Sequence, residues 1–293
     1  MKTPPKNEAS RKEKLLEHAM SGNAVEIARL ISEGGMPRLA CYASLRLAAC
    51  GGHAECVRLL IPVSEWRSGE PDALQAAAEH GHEECVRLLI PVSKPKIHDS
   101  HALQMAAEGG HAECVKLLIP ASDINADGSR ALERAARWGH PECVRLLLHV
   151  LKPRENVSLA LRWAAINGHH ACVDLLIQGQ GFVSPGDRLQ ALSAAARYDR
   201  EECFKLLLCV CGALNEDGDV FATIVNSGRA KIFAATLAHQ PSLLGVINLP
   251  LIQQRAKRRG YDELASLALA LIEQGELAVA TPNVEKKQQH PRL

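Results

Sequence analysis

Apolar residues in this chain fall in short blocks with a helical period, and each block is punctuated in the same way. In the segment 72–93, Leu74, Ala77 and Ala78 stand at i, i+3 and i+4, the spacing of one helix face. The alanines on that face let another backbone approach closely. Gly81 follows and suits a left-handed position just past a helix end, and His82 begins a turn. Glu84 falls in the first turn of a second helix, where a negative charge favours the helix dipole. Cys85, Val86, Leu88 and Leu89 then form a broad apolar stripe, and Pro91 cannot continue the helix. The block predicts helix, tight turn, helix, loop. Its apolar face can be covered only by another block of the same kind.

Such blocks are present in series. The signature Gly-His-x-Glu-Cys-Val-Arg, with lysine for arginine in the third copy, starts at Gly52, Gly81, Gly110 and Gly139, a step of 29 residues, and returns in weaker form at Gly168. A fixed step of this size means stacked supersecondary repeats with a core that runs from one to the next. The frame extends upstream through Leu15, Ala19, Gly22, Ile27 and Leu30. Downstream it passes through Leu192, Ala195, Ala196, Asp199, Cys203, Leu206 and Leu207 after a two-residue insertion. Phe221, Ile224, Val225, Gly228, Phe233 and Leu237 fit an eighth repeat with bulkier packing. The expected organisation is a flexible N-terminus at 1–10, an array of eight repeats at 11–248, a degenerate capping repeat at 249–275 centred on Gly260, and a polar, disordered tail at 276–293.

The segment SHALQMAAEGGHAECVKLLI, Ser100 to Ile119, resembles the ankyrin repeat motif Thr-Pro-Leu-His-x-Ala-Ala-x-x-Gly-His-x-Glu-x-Val-x-Leu-Leu. Ser100 stands in for the motif threonine, and Leu103, Ala106, Ala107, Gly110, His111, Glu113, Val115, Leu117 and Leu118 match outright. The resemblance implies an all-α solenoid of helix-turn-helix repeats that works as a non-catalytic scaffold, holding a partner protein in its concave groove. Family repeats usually run to 33 residues. Here the missing four fall in the connecting loops, which implies abbreviated hairpins with little or no strand. Only Asp123 to Gly128 looks close to the usual finger. Short repeats of this kind resemble those of bacterial ankyrin-repeat proteins. A bacterial effector delivered into a host cell is compatible with the residues, which do not establish delivery.

Composition narrows the partners. A net charge of +1 and a pI of about 7.6 provide no global field toward nucleic acid or an anionic membrane. The start, MKTPPKNEAS, has no apolar core of a secretory signal, and no run approaches the roughly 18 apolar residues of a membrane span. A monomer in the cytoplasm is expected. Six of the ten cysteines (Cys56, Cys85, Cys114, Cys143, Cys172 and Cys203) take one equivalent position in successive repeats. Stacked helices lie about 8–10 Å apart, while a disulfide needs Cα atoms within about 7 Å, so neighbours in this ladder cannot pair.

The same ladder frames the chemical alternatives. His53 with Cys56, and His82 with Cys85, have a spacing that could hold a metal, yet zinc needs four converging ligands and one such pair recurs in every repeat. A turn histidine and a core cysteine account for the pattern, so neither metal nor cofactor is expected. A thiol-dependent enzyme or redox protein using one ladder cysteine is the alternative function. It would require an activated, accessible thiol and an oriented base. Cys209 and Cys211 are a second candidate, with helix-end packing as the simpler account. Arg58, Arg87, Lys116, Arg145 and Lys205 each follow a glutamate by three residues and read as a paired outer face. The run Arg255, Lys257, Arg258, Arg259 reads as a solubilising, dipole-complementing helix end.

Positions that vary while the frame holds carry the recognition signal. They follow the paired alanines of each first helix and, in the resemblance, face the groove: Glu79, His80, Glu108, Arg137, Trp138, Asn167, Arg197 and Tyr198, with Ile166 among them. Arg134, Arg162 and Trp163 lie one turn earlier, with Trp163 read as a spacer between repeats. Tryptophan, tyrosine and arginine are the residues most enriched at binding hot spots. The expected centre is therefore Arg137, Trp138 and Tyr198. Nucleic-acid binding through the late arginines is a third, weaker reading, because the charge is compensated.

Overall fold

A computed structural model describes residues 6–34, 38–64, 73–93, 101–151, 157–179, 183–211 and 219–280. Among the described residues the ordered elements are helices, with no strand. They form nine helix-turn-helix pairs: α1 Lys6–Ser21 with α2 Ala24–Ser32, α3 Arg38–Cys50 with α4 Ala54–Leu60, α5 Ala73–Glu79 with α6 Glu83–Leu89, and α7 His101–Gly109 with α8 Ala112–Leu118. Then come α9 Ile124–Trp138 with α10 Pro141–Val150, α11 Ser158–Asn167 with α12 His170–Gln178, α13 Pro185–Arg197 with α14 Glu201–Cys211, α15 Asp219–Ser227 with α16 Ala230–His239, and α17 Leu249–Arg259 with α18 Asp262–Ala280.

The chain divides into two compact bodies, residues 1–184 and 185–293. In the N-terminal body the first helices α1, α3, α5, α7, α9 and α11 pack side by side in chain order, and the second helices α2 to α12 do the same. Two helical layers result, joined within every repeat by the tight turn. In the C-terminal body α13 packs on α15, α14 on α16, and α16 and α17 both contact α18.

The periodic positions build the core. Leu45, Leu74, Leu103, Leu132 and Leu161, the alanine pairs from Ala48 and Ala49 to Ala164 and Ala165, and the ladder cysteines with Val57, Val86, Val115, Val144 and Val173 are all buried to within about 1%. Alanine at the first-helix contact lets adjacent helices close up, and leucine from the second helix fills the space behind it. In the C-terminal body Phe204, Phe221 and Phe233 take over part of this filling.

One expectation for the loops fails. The segment Asp123 to Gly128, read as a hairpin finger, is the N-terminal part of α9 from Ile124 onward. Gly128 sits in that helix because the next connection crosses it closely, and a Cβ there would meet Leu151 Cδ2 at 2.6 Å. The glycine that suggested a turn serves a tight crossing instead. Proline does end second helices: α4 and α8 run into short 3-10 turns at Ile61–Val63 and Ile119–Ala121, each with Pro at its start. The loop segment 94–100 lies outside the described residues. At the ends, α1 begins at Lys6, within the stretch read as flexible, and α18 continues to Ala280, into the stretch read as tail. Residues 281–293 lie outside the described residues. No described helix is long and apolar enough to cross a membrane.

Candidate partner-binding face

Every tight turn contains one residue in the left-handed region: Gly22, Gly52, Gly81, Gly110, Gly139, Gly168, Asp199, Gly228 and Gly260. In most of them the next residue closes the first helix by donating its N–H to a carbonyl five residues back, as His111 does to Ala106 at 2.9 Å. This is the Schellman arrangement. It brings the first helix to an abrupt end and leaves its last two side chains on the rim of the first-helix layer.

The turn histidine also holds neighbouring repeats together. His53, His82, His111, His140 and His169 are N-cap residues of their second helices, yet none caps its own helix. Each ring reaches back to the preceding repeat. Nε2 lies 3.0 Å from Met20 O for His53, 2.8 Å from Cys50 O for His82 and 3.0 Å from Glu79 O for His111. The distances are 2.8 Å to Glu108 O for His140 and 3.1 Å to Arg137 O for His169. A carbonyl only accepts, so each of these rings carries a proton on Nε2. Each ring also lies against a turn glycine of the repeat before. A Cβ on Gly81, for example, would stand 2.4 Å from His111 Nδ1. In the first repeat Asn23 takes this position instead, accepts from Glu26 N at 3.2 Å and caps its own helix.

With the turns locked, the variable residues have defined surroundings, and these differ from one to the next. Glu108 on α7 forms an ion pair with Arg134 on α9. One repeat on, in the same register, the Arg137 guanidinium lies over the Trp163 ring of α11 at 4.4 Å from its centroid. Trp163 is thus a spacer, as read, and also a platform. Asn167 donates through Nδ2 to Arg137 O at 2.8 Å, so its amide is used between repeats. His80 donates from Nδ1 to Ala76 O at 3.0 Å and stacks on His82, with ring centroids 6.1 Å apart. Cys50 Sγ lies 3.7 Å from His80 Nε2. Glu79 is exposed, and Trp138 keeps 55% of its surface open. Arg197 and Tyr198, both exposed, belong to the C-terminal body.

A polar groove of about 640 Å³ is lined by His101, Gln104, Glu108, Arg130, Glu133, Arg134, Arg137 and Trp138. Sequence reasoning reached Glu108, Arg134, Arg137 and Trp138 but passed over His101, Gln104, Arg130 and Glu133. A signal for Arg130 was present: with Arg134 and Arg137 it makes an i, i+4, i+7 stripe along α9.

The ladder cysteines lie on the second helices, buried in the core. All ten cysteines are free thiols. Burial, reinforced by a neighbouring glutamate, pushes Cys85, Cys114 and Cys143 up to about 11. Burial pushes Cys203 up to about 11 against the pull of Arg200. Such thiols stay protonated near neutrality and are poor nucleophiles. Among the described residues no group of three or more His, Cys, Asp or Glu side chains is placed to hold a metal ion. On the outer surface the anticipated pairs are present, including Arg87 with Glu84 at 3.4 Å, Lys116 with Glu113 at 2.6 Å and Arg145 with Glu142 at 2.6 Å.

A family model described as ankyrin repeats (3 copies) matches residues 15–99 and 74–157, from within α1 to beyond the end of α10. No curated protein matches the chain.

Proposed function

The chain belongs to the ankyrin-repeat proteins, and from that premise we propose a non-catalytic scaffold that holds a partner protein along its first-helix face, centred on Arg137 and Trp138. Ankyrin repeats mediate protein–protein interactions. The observation that supports this site on the first-helix face is Trp138. A tryptophan 55% exposed on an otherwise well-packed repeat, beside an arginine stacked on a second tryptophan, has the composition and exposure of a binding hot spot. Glu79, His80, Glu108 and Asn167 contribute the surrounding rim. Arg197 and Tyr198, exposed on the C-terminal body, are the residues proposed to contact the partner there.

The alternative, a thiol enzyme built on the cysteine ladder, would need an exposed, acidified thiol. Ladder thiols that are buried to within about 1% and pushed up to about 11 weigh for the scaffold. The protein is expected to act as a monomer in the cytoplasm.

The test is affinity capture from source-cell lysate with the native chain and with the Arg137→Ala, Trp138→Ala, Tyr198→Ala variant, read by mass spectrometry beside a thermal melt. A protein recovered by the first and lost by the second, with melting unchanged, supports the reading. Identical recoveries would remove these residues from the site.

A further inference from the structure

Resting on that reading, we infer that the partner presents an acidic segment, with a carboxylate for Arg137 and an apolar side chain beside Trp138. The starting point is how each cation on this face is engaged. Arg134 is neutralised by Glu108. Arg137 has no acidic partner among the described residues, and its guanidinium carbon lies over the Trp163 ring, 4.4 Å from the centroid. A guanidinium stacked on a ring has its orientation set in advance and keeps its in-plane N–H donors, the fork that matches a carboxylate bidentately. The platform lowers the ordering cost of such a contact.

The charge around it favours the same occupant. Helix α9 carries Arg130, Arg134 and Arg137 with Asp127 and Glu133, and α11 adds an exposed Arg162 with no acid on its own helix. The preceding first helices, α5 and α7, each contribute a glutamate, Glu79 and Glu108. With the Arg134–Glu108 pair set aside, the exposed Arg137 and Arg162 stand on α9 and α11 and the exposed Glu79 stands before them on α5, although the whole chain is close to neutral at +1. An acidic segment seats over α9 and α11, and its acidic end is repelled from α5. Trp138, 55% exposed and lining the groove with Arg137, supplies apolar contact beside the cation. A carboxylate with an adjacent aliphatic or aromatic residue meets both needs.

The experiment selects short random peptides displayed on phage against the full chain, then measures the selected peptides on two variants. Arg137→Glu with Arg162→Glu reverses the charge at exposed positions, and Trp138→Ala removes the ring. Circular dichroism checks that both variants fold. The expected result is enrichment in Asp and Glu next to an apolar residue, with binding weakened roughly tenfold or more by charge reversal and steadily by added salt. Arg137→Lys, which keeps the charge and loses the planar fork, should weaken it less than reversal does. Enriched peptides that lack acids, or that bind the reversed variant equally well, overturn the inference. If such neutral peptides still lose binding on Trp138→Ala, the proposed face stands and only the acidic partner fails. Recovery of no peptides that depend on either variant overturns both. Tighter binding of single-stranded oligonucleotide than of any selected peptide would overturn it in favour of nucleic acid.

Discussion

Repeats 1 to 5, in the N-terminal body, and repeats 7 and 8, in the C-terminal body, build the same turn with different side chains. In the former a glycine takes the left-handed conformation and a histidine from the next repeat lies against it, its Nε2 on a backbone carbonyl. In the latter Asp199 takes the left-handed conformation at φ 59°, and its carboxylate meets Arg229 of the following repeat at 3.4 Å. At the next turn Gly228 is covered by the Tyr261 ring, whose hydroxyl donates to Asn226 O at 3.3 Å. Two physical requirements persist across both bodies. The backbone reverses in the left-handed region, and a flat or charged group from the next repeat lies against it or pairs with it; at the glycine turns that group also meets a backbone carbonyl. The histidine is one way to meet them. The comparison teaches that the Gly-His signature marks where they are met most uniformly, and that its loss does not mark the end of the repeats.

The sharpest way to break this comparison is at the left-handed residue itself. Gly110→Val places a β-branched side chain at φ 77°, with its Cβ 2.4 Å from His140 Nδ1. Backbone strain and displacement of the ring together should cost about 2–4 kcal/mol, read as a lower urea midpoint. Asp199→Gly should move the other way or not at all, since roughly 1 kcal/mol of left-handed strain is relieved while an exposed ion pair is lost. Equal losses at the two sites would mean that the turn conformation is not what sets their energies.

Next in size is a dependence on alkaline pH that should be larger for the N-terminal body. Cys85, Cys114 and Cys143 stand there in successive repeats, each pushed up to about 11 by burial, whereas in the C-terminal body Cys203 alone is raised that far. The unfolded thiol ionises near 8.5. Above that pH the unfolded chain sheds protons that the folded chain keeps, so stability falls as pH rises and continues to fall until about 11. Urea midpoints compared at neutral pH and near pH 10.5 should show the loss. Replacing the three cysteines with alanine should flatten the slope, and an unchanged slope would rule out the thiols as its source.

Most of the fold could be read in the chain, for a specific reason. The repeat multiplies weak local signals: one Leu-x-x-Ala-Ala-x-x-Gly-His block is ambiguous, but the same block at Gly52, Gly81, Gly110 and Gly139 has a single consistent solution. Even Asp199 could be placed, because the frame on either side holds. Asp123 to Gly128 could not. An Asn-Ala-Asp-Gly run has turn chemistry locally, and only the crossing of Leu151 over Gly128 shows why a glycine belongs in that helix. The recognition face was half legible for a similar reason. Which positions vary can be read along the chain, but the pairing of Glu108 with Arg134 and of Arg137 with Trp163 depends on the stagger between neighbouring first helices.

A smaller effect separates ring packing from the polar contact at the turn. His111→Ala removes the donor to Glu79 O and the ring lying on Gly81, and should cost on the order of 1 kcal/mol or slightly more. Tyr261→Phe keeps the ring on Gly228 and loses only the bond to Asn226 O, so about 0.5 kcal/mol is expected, since the site is exposed and water can replace the hydroxyl. If the phenylalanine costs as much as the alanine, the carbonyl contact rather than the ring governs both turns.

The smallest expected effect is on the outer face, where the two bodies should not differ. Arg87 forks between Glu83 at 2.5 Å and Glu84 at 3.4 Å, and Lys205 between Glu201 at 2.7 Å and Glu202 at 3.3 Å. Both cations are about half exposed, so water competes for each and salt screens them. Arg87→Ala should shift stability by less than about 0.5 kcal/mol, and Lys205→Ala should leave the transition where it is. A matched pair of near-zero shifts would place the energetic difference between the bodies at the turns and the buried ladder. A clear loss at Arg87 but not at Lys205 would instead show that the outer helices of the regular repeats are coupled through their charges, and the turns would no longer suffice to explain why those repeats are so uniform.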